Sequence, residues 1–316
     1  MSEMPQFKRV RTIGSGAFGC VELCTLHGDR HYGEKGELVA VKRLKDVSCA
    51  EVAKKEAMVL KNLSNRFIVT YMDNFKDAQG QFYIVMEYCD FGTLKDWLSF
   101  RKVKPIEEYN IWRMVWQFAT ALSFLHSRHP PILHNDLKPA NVLCKYNNIK
   151  GFGGIDIKIA DFGVCYVLGK ISLDLDLMLI GLYWPGKTPS AMYYHASRVR
   201  GGTVCYLAPE VLQASPHVTT GADMWSLGAL LAYVANDREH LFRTSRDVLS
   251  WEGVKSPLTR KFQSNELHVL VLSLLSIDKH GRPSADCLLQ DSEIHRERRE
   301  NLRDFEERQE NLNITI

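Results

Sequence analysis

His134-Asn135-Asp136-Leu137-Lys138-Pro139-Ala140-Asn141, followed by the apolar pair Val142-Leu143, is the stretch on which the reading of this chain turns. A carboxylate, an ammonium and an amide lie within it, at Asp136, Lys138 and Asn141. Before it runs a segment of helical periodicity, Ile106 to His126, with Ile111, Met114, Val115, Phe118, Leu122 and Leu125 at helical spacing. The polar cluster therefore sits on a loop carried by a well-packed element.

That mix of side chains suits a reaction whose transition state is loose and highly charged, where catalysis is mostly positioning and charge neutralisation. Phosphoryl transfer is of this kind. On that reading Asp136 orients a hydroxyl and accepts its proton, Lys138 neutralises the transferring group, and Asn141 holds a magnesium ion. Downstream comes Ile159-Ala160-Asp161-Phe162-Gly163. Asp-Phe-Gly alone is usually just a turn. Here it follows a strand-like run, Ile155 to Ile159, and lies beyond Asn141, so Asp161 is expected to be the main magnesium ligand. Hard oxygen donors from Asn141 and Asp161 suit magnesium, which keeps phosphates and waters as its other ligands.

Upstream, Gly14-Ser15-Gly16-Ala17-Phe18-Gly19 precedes Val21. Glycines let backbone N–H groups approach phosphates where a Cβ would clash. A dinucleotide fold would place a helix directly after such a motif. Cys20 to Thr25 reads instead as a strand, so the loop joins two strands. Next, Val39-Ala40-Val41-Lys42 closes an apolar strand with a cation for the α- and β-phosphates. Glu56, on the helix predicted from about Cys49 to Leu63, is placed to hold Lys42, although Glu51 lies on the same helix. Leu60, one turn after Glu56, puts an apolar contact on the same face.

The 316 residues suffice for a large two-lobed unit, and 45% hydrophobic with 24% charged residues is ordinary for a globular protein. A net charge of +3 argues for neither a nucleic-acid nor a membrane partner. The 8 cysteines are scattered and form no C-x-x-C pair, which fits free thiols in a reducing compartment. Met1 to Val10 lacks the apolar run of a signal peptide, so a cytoplasmic or nuclear location is expected. Phe7–Ile13, Val21–Thr25, Leu38–Leu44 and Phe82–Glu87 read as strands. After Gly92 the pattern turns helical, with further helices over Asp223–Asn236 and Glu266–Ile277. The expected fold class is α+β, a small β-rich lobe with one main helix followed by a larger helical lobe. Beyond about Asp291 dense mixed charge predicts a solvated terminal helix, with partner docking as the alternative.

In this order the motifs resemble the eukaryotic protein kinase family, and the resemblance continues through Ala208-Pro209-Glu210, Asp223-Met224-Trp225-Ser226-Leu227-Gly228 and Gly281-Arg282-Pro283. It implies a bilobal fold, with residues 1–88 as N-lobe, 89–292 as C-lobe and 293–316 as a charged tail. It implies ATP and magnesium as cofactors, with Ile13, Gly14, Ser15, Gly16, Ala17, Phe18, Gly19, Val21, Ala40, Lys42, Met86, Glu87, Cys89, Leu143 and Asp161 around the nucleotide. Met86 takes the gatekeeper position, and the backbone at Glu87 and Cys89 would contact adenine. Val21, Ala40 and Leu143 would sandwich the ring. Glu210 would pair with Arg282, and Asp223 would brace the catalytic loop. Lys138-Pro139 and Gly202-Thr203 resemble the Ser/Thr branch, with a protein substrate. The hinge and the surroundings of His134 resemble NIMA-related kinases most, with Ste20-type kinases close.

Three places depart from the family. Asn135 stands where an arginine usually pairs with a phosphorylated activation-segment residue, so activity is expected to depend little on that phosphorylation. The segment 164–207 is long and carries an apolar run, Leu177 to Trp184, costly to expose: it packs as an extra element, binds a partner or reflects an imperfect gene model, and the sequence does not choose among these. Lys145 to Gly154 lengthens a turn that reads as a surface hairpin loop. Competing readings are a pseudokinase scaffold, which would lack Lys42, Asp136, Asn141 or Asp161, and a small-molecule kinase, which would lack the peptide-docking segment.

Overall fold

In the computed structural model of the chain, residues 7–15, 19–27, 36–44, 50–100, 106–147, 154–167, 204–213, 218–236, 238–252 and 264–291 are described. Expectations about Gly16, Ala17 and Phe18, residues 168–203 of the activation segment with Gly202 and Thr203, the tip of the 145–154 turn and the charged tail fall outside them.

The first lobe is an antiparallel sheet of 5 strands: β1 Phe7–Ser15, β2 Gly19–Leu26, β3 Leu38–Leu44, β4 Tyr71–Lys76 and β5 Phe82–Glu87, in the order β1-β2-β3-β5-β4. β3 lies at its centre, which explains its nearly unbroken apolar sequence. Alternation sends Val39 and Val41 to one face, where they pack with Cys24, Leu26 and Val85. Ala40 and Lys42 take the other face. Val21 stands opposite Lys42, and Met86 opposite Ala40, so these four side chains share that face. The helix α1, Ala50–Lys61, packs against β4 and β5 through buried Ala53, Ala57 and Leu60.

The second lobe holds α2 Leu94–Phe100, α3 Glu108–His126, α4 Pro209–Leu212, α5 Gly221–Ala235, α6 Ser245–Leu249, α7 Asn265–Leu274 and α8 Ala285–Gln290. α3 buries all six of its predicted apolar positions. α5 is buried from Gly221 through Val234, as befits an apolar helix through the centre of a large lobe. Ser264 and Ser284 cap α7 and α8 by accepting from the N–H groups of Leu267 and Cys287. A hairpin of β7 Val142–Asn147 and β8 Gly154–Ile159 frames the predicted turn, and β6 Ile132–Leu133 pairs with β9 Tyr166–Val167. α1 ends at Lys61 rather than at the expected Leu63, and its expected start at Cys49 lies outside the described residues. The periodicity did not single out β4 or α2.

The lobes meet along two seams. Residues 67–69 bond to β8 through Val69 N–H to Ile159 O and Ile159 N–H to Phe67 O, both 2.9 Å. The chain leaving β5 is tied to β7 by Cys144 N–H to Gly92 O at 2.8 Å and Phe91 N–H to Cys144 O at 3.1 Å. Gly92 has φ +70°, a left-handed conformation that glycine adopts without strain. Among the described residues no helix is long and apolar enough to cross a membrane.

Candidate active site

The site lies between the lobes, and each of its parts is carried by a different element. Lys42 on β3 and Glu56 on α1 form a buried pair, Nζ at 2.8 and 2.7 Å from the two carboxylate oxygens. The structure selects Glu56 for this role, as expected. Nζ also donates to Asp161 Oδ1 at 3.0 Å. Burial works against the Lys42 ammonium, but Glu56 and then Asp161 outweigh it and hold its pKa above the ordinary lysine value. Burial, the largest influence on Glu56, pushes its carboxyl upward, opposed by Lys42 and a backbone hydrogen bond from Phe162. Both oxygens lie within 2.8 Å of the ammonium, and the balance leaves the Glu56 carboxyl above the usual glutamate value. Asp161 has φ +65°, a region in which aspartate is less disfavoured than most residues. Burial raises its pKa, but Lys42 overrides this and keeps it below the usual aspartate value.

Asp136 sits on the loop after β6. Its Oδ2 accepts from Lys138 Nζ at 2.6 Å and from Asn141 Nδ2 at 2.7 Å. Asn141 Nδ2 also donates to the Asp136 carbonyl at 2.9 Å. Among the described residues no hydrogen bond reaches Asp136 Oδ1. The Asn141 N–H₂ group is engaged by Asp136, and among the described residues no hydrogen bond reaches its side-chain oxygen. A carboxylate and an amide oxygen are the hard donors that magnesium takes, so Asp161 and Asn141 fit that ion.

The loop geometry comes from behind. Asp223, fully buried on α5, accepts the backbone N–H groups of His134 and Asn135, each at 2.9 Å, and bonds to His126 Nε2 at 2.9 Å. Burial raises its pKa, but His126 and the backbone donors hold it low, so it remains an acceptor. This clamp holds Asn135 at φ +64°, a conformation asparagine tolerates well. Buried His134 accepts the Asp136 N–H at Nδ1 and donates from Nε2 to Ala160 O at 2.9 Å, joining the catalytic loop to the Asp161 segment. Its ring also meets Phe162 edge-on, with centroids 4.9 Å apart. Deeper in the lobe, Arg282 and Glu210 make a bidentate pair at 2.7 and 2.9 Å.

Above the cleft, β1 ends with half-buried Ile13 and Gly14 and exposed Ser15, and β2 begins at buried Gly19. Val21, Ala40 and Met86 line the N-lobe side. Leu143 on β7 faces from the C-lobe, bridged to Thr93. Buried Cys89 follows β5, and burial pushes its thiol up to about 12, so it is no nucleophile.

Two sets of contacts were not singled out from sequence. Lys55 Nζ on α1 donates to the carbonyl of Cys165, just past Asp161-Phe162-Gly163, at 2.7 Å. The Glu87 side chain, on the hinge, is gripped by Thr70, Lys145 and Lys158. No sequence signal marked the second: Ile155-Asp156-Ile157-Lys158-Ile159 alternates apolar and charged residues, the pattern of a strand with one face in solvent.

A cleft between a β-sheet lobe and a helical lobe, with a buried lysine–glutamate pair above and an Asp/Lys/Asn loop below, defines the protein kinase class. Residues 7–292 match the protein kinase domain, and the chain belongs to that family. It is similar to the serine/threonine-protein kinases Nek4 of Mus musculus (31% identical over 297 residues), Nek5 of Homo sapiens (29% over 290) and Nek8 of Danio rerio (28% over 289). Each alignment covers 90% of this chain but only 32%, 36% and 36% of those proteins, in the same order. The chain thus spans about a third of their length, and the NIMA-related resemblance read from the hinge agrees with them.

Proposed function

We propose that this protein phosphorylates serine or threonine hydroxyls of protein substrates, using ATP and magnesium. The single observation that carries this reading is the Asp136 carboxylate, fixed through Oδ2 by Lys138 and Asn141, with no hydrogen bond to Oδ1 among the described residues. Magnesium bound with ATP would supply charge neutralisation on the phosphate oxygens, with Asp161 and Asn141 as its protein ligands. Lys42, fixed by Glu56, offers a permanent cation to the phosphates. Asp136 orients the acceptor hydroxyl and takes its proton. Lys138, 2.6 Å from that carboxylate, is placed to neutralise charge on the group in transfer. Ile13, Gly14, Ser15, Gly19, Val21 and Ala40 form the roof over the nucleotide, and the sequence adds Gly16, Ala17 and Phe18 as candidate phosphate contacts. Met86, the backbone at Glu87 and Cys89, and Leu143 form its back wall and floor. On this reading residues 1–88 and 89–292 act as the two jaws.

The serine/threonine assignment is supported by Lys138-Pro139 and by the named activity of the relatives. Cytoplasmic or nuclear residence, and partner docking through the segment 164–207 or the charged tail, are readings from sequence that accompany this proposal.

The test is transfer of labelled phosphate from ATP with magnesium to a generic serine/threonine acceptor protein, wild type beside Asp136→Asn. The variant keeps shape but loses the proton acceptor, so kcat is expected to fall by roughly a hundredfold or more. Nucleotide affinity should stay within about twofold, since no hydrogen bond of Lys42 or Glu56 to Asp136 is involved. Equal transfer by both proteins would remove Asp136 from this role.

A further inference from the structure

The hinge carries an ion cluster that the phosphoryl-transfer chemistry does not use. Glu87, the last residue of β5, directs its carboxylate away from the sheet into a joint made by three other segments. Oε1 accepts from Thr70 N–H at 2.8 Å and from Thr70 Oγ1–H at 2.6 Å, and lies 2.7 Å from Lys158 Nζ. Oε2 accepts from Lys145 Nζ at 2.6 Å. Lys158 also donates to the Arg66 carbonyl at 2.8 Å, and Arg66 bonds to Asp156 at 2.7 Å. One carboxylate thus ties the end of β5 and the 66–70 segment, both N-lobe, to β7 and β8 of the C-lobe.

The two lysines are also neighbours of the nucleotide floor. Leu143 and Lys158 are directly opposed across the β7–β8 ladder, and Lys145 is two residues from Leu143 on the same face. The carboxylate that grips both lysines belongs to the residue whose backbone faces adenine in the reading above. Glu87 and Lys158 are only 12% and 9% exposed at their side chains, so the contact is weakly screened.

We propose that the Glu87 side chain is a positioning residue for the nucleotide, setting the separation between the adenine-facing backbone at Glu87–Cys89 and the Leu143 floor through Lys145, Lys158 and Thr70. This rests on the nucleotide-site reading given under Proposed function. It assigns Glu87 two separate tasks: its backbone meets the base, and its side chain holds that backbone at the right height. The consequence is specific to nucleotide binding. Loosening the joint misplaces the hinge relative to Leu143 but leaves Asp136, Lys138 and the Asp223 clamp untouched, since none of them bonds to this cluster.

The experiment compares wild type, Glu87→Gln and Lys145→Met by direct titration with MgADP and by transfer kinetics at saturating acceptor. Lys145 is 41% exposed at its side chain, so its variant is the gentler one and serves where Glu87→Gln fails to fold. The expected result is a rise of about five- to twentyfold in the MgADP Kd and the ATP KM, with kcat at saturating ATP within about twofold. The double variant should show less than the product of the two single effects, because both remove the same contact. Unchanged nucleotide affinity in both variants would overturn the proposal, as would a fall in kcat with ATP KM intact. A rise in kcat at unchanged affinity would also overturn it, making the cluster a restraint on lobe movement. Ala40→Trp separates this from the underlying reading: filling the roof should abolish MgADP binding. If Ala40→Trp binds MgADP like wild type, the nucleotide-site reading itself fails. If it blocks binding while Glu87→Gln and Lys145→Met do not weaken it, only the positioning role fails.

Discussion

Glu87 is held down to about 2, although its burial alone would raise its pKa; the hydrogen bonds from Lys145, Lys158 and Thr70 more than reverse that penalty. An ordinary glutamate here would titrate at 4.5. A lowered folded-state pKa means the unfolded chain binds the proton first as pH falls. The stabilisation is therefore complete above about 4.5 and is lost progressively as the pH falls toward about 2. Its upper bound is roughly 3 kcal/mol, and the half-exposed Lys145 brings it nearer about 1–2 kcal/mol. Urea unfolding of wild type and Glu87→Gln should show a full stability gap at pH 7 that narrows as the pH is lowered below about 4.5. A gap of constant size across that range would mean the loss comes from altered packing and not from the charge. At this scale the sequence was informative where a residue acts through a local motif. Asp136, Asn141 and Asp161 announce themselves by their neighbours in the chain. Glu87, Thr70 and Lys158 do not, because their link joins segments distant in sequence and no short pattern encodes it.

Elements were legible in proportion to their periodicity. β3 and β5 have the predicted bounds, Leu38–Leu44 and Phe82–Glu87, because both are short runs dominated by β-branched, aromatic and long apolar side chains. β4, Tyr71–Lys76, carries Asp73 and Asn74 and lies at the sheet edge with an irregular register to β5. It is a strand by virtue of its partner and not its composition. α5 shows the opposite case, being so thoroughly apolar that its burial on every side follows directly. One glycine within it has a structural reason. A Cβ at Gly228 would lie 2.8 Å from Leu274 Cβ and 3.1 Å from Leu275 Cγ, so α5 approaches the end of α7 as closely as a bare backbone allows. Alanine is the better helix former by about 1 kcal/mol, but here overpacking of two fully buried leucines outweighs it. Gly228→Ala should destabilise the protein by about 1–3 kcal/mol, read as a lowered melting temperature. Phosphate transfer per folded molecule should persist at low temperature, since the substitution lies behind the site. A melting temperature equal to or above wild type would show that helix propensity wins.

At the level of the whole molecule, the lobes must agree on one arrangement for Glu56, Lys42 and Asp161 to meet, and protein kinases often secure this through a phosphate on the activation segment. The receiving arginine is replaced here by Asn135, whose N–H is bound to Asp223 and whose side chain offers no charge. Among the described residues, Lys55 ties α1 to the segment after Phe162, its ammonium donating to the Cys165 carbonyl at 2.7 Å. Lys55 precedes Glu56, so a tie at one fixes the helix that carries the other. Cys165 is buried and its N–H bonds back to Phe162 O at 3.2 Å, which makes that carbonyl a firm anchor. The two halves of this argument were unequally visible: Asn135 is read off the sequence, whereas the Lys55 contact spans two lobes and required the fold. Phosphatase treatment should therefore leave phosphate transfer within about threefold of the untreated protein. Lys55→Met should lower kcat by about tenfold to a hundredfold, because displacement of α1 moves Glu56 off Lys42. Lys55→Arg, which preserves a donor of similar reach, should recover most of that loss. If phosphatase abolished transfer while Lys55→Met left it unchanged, a phosphate would be performing the task assigned to Lys55, with some cation other than residue 135 to receive it.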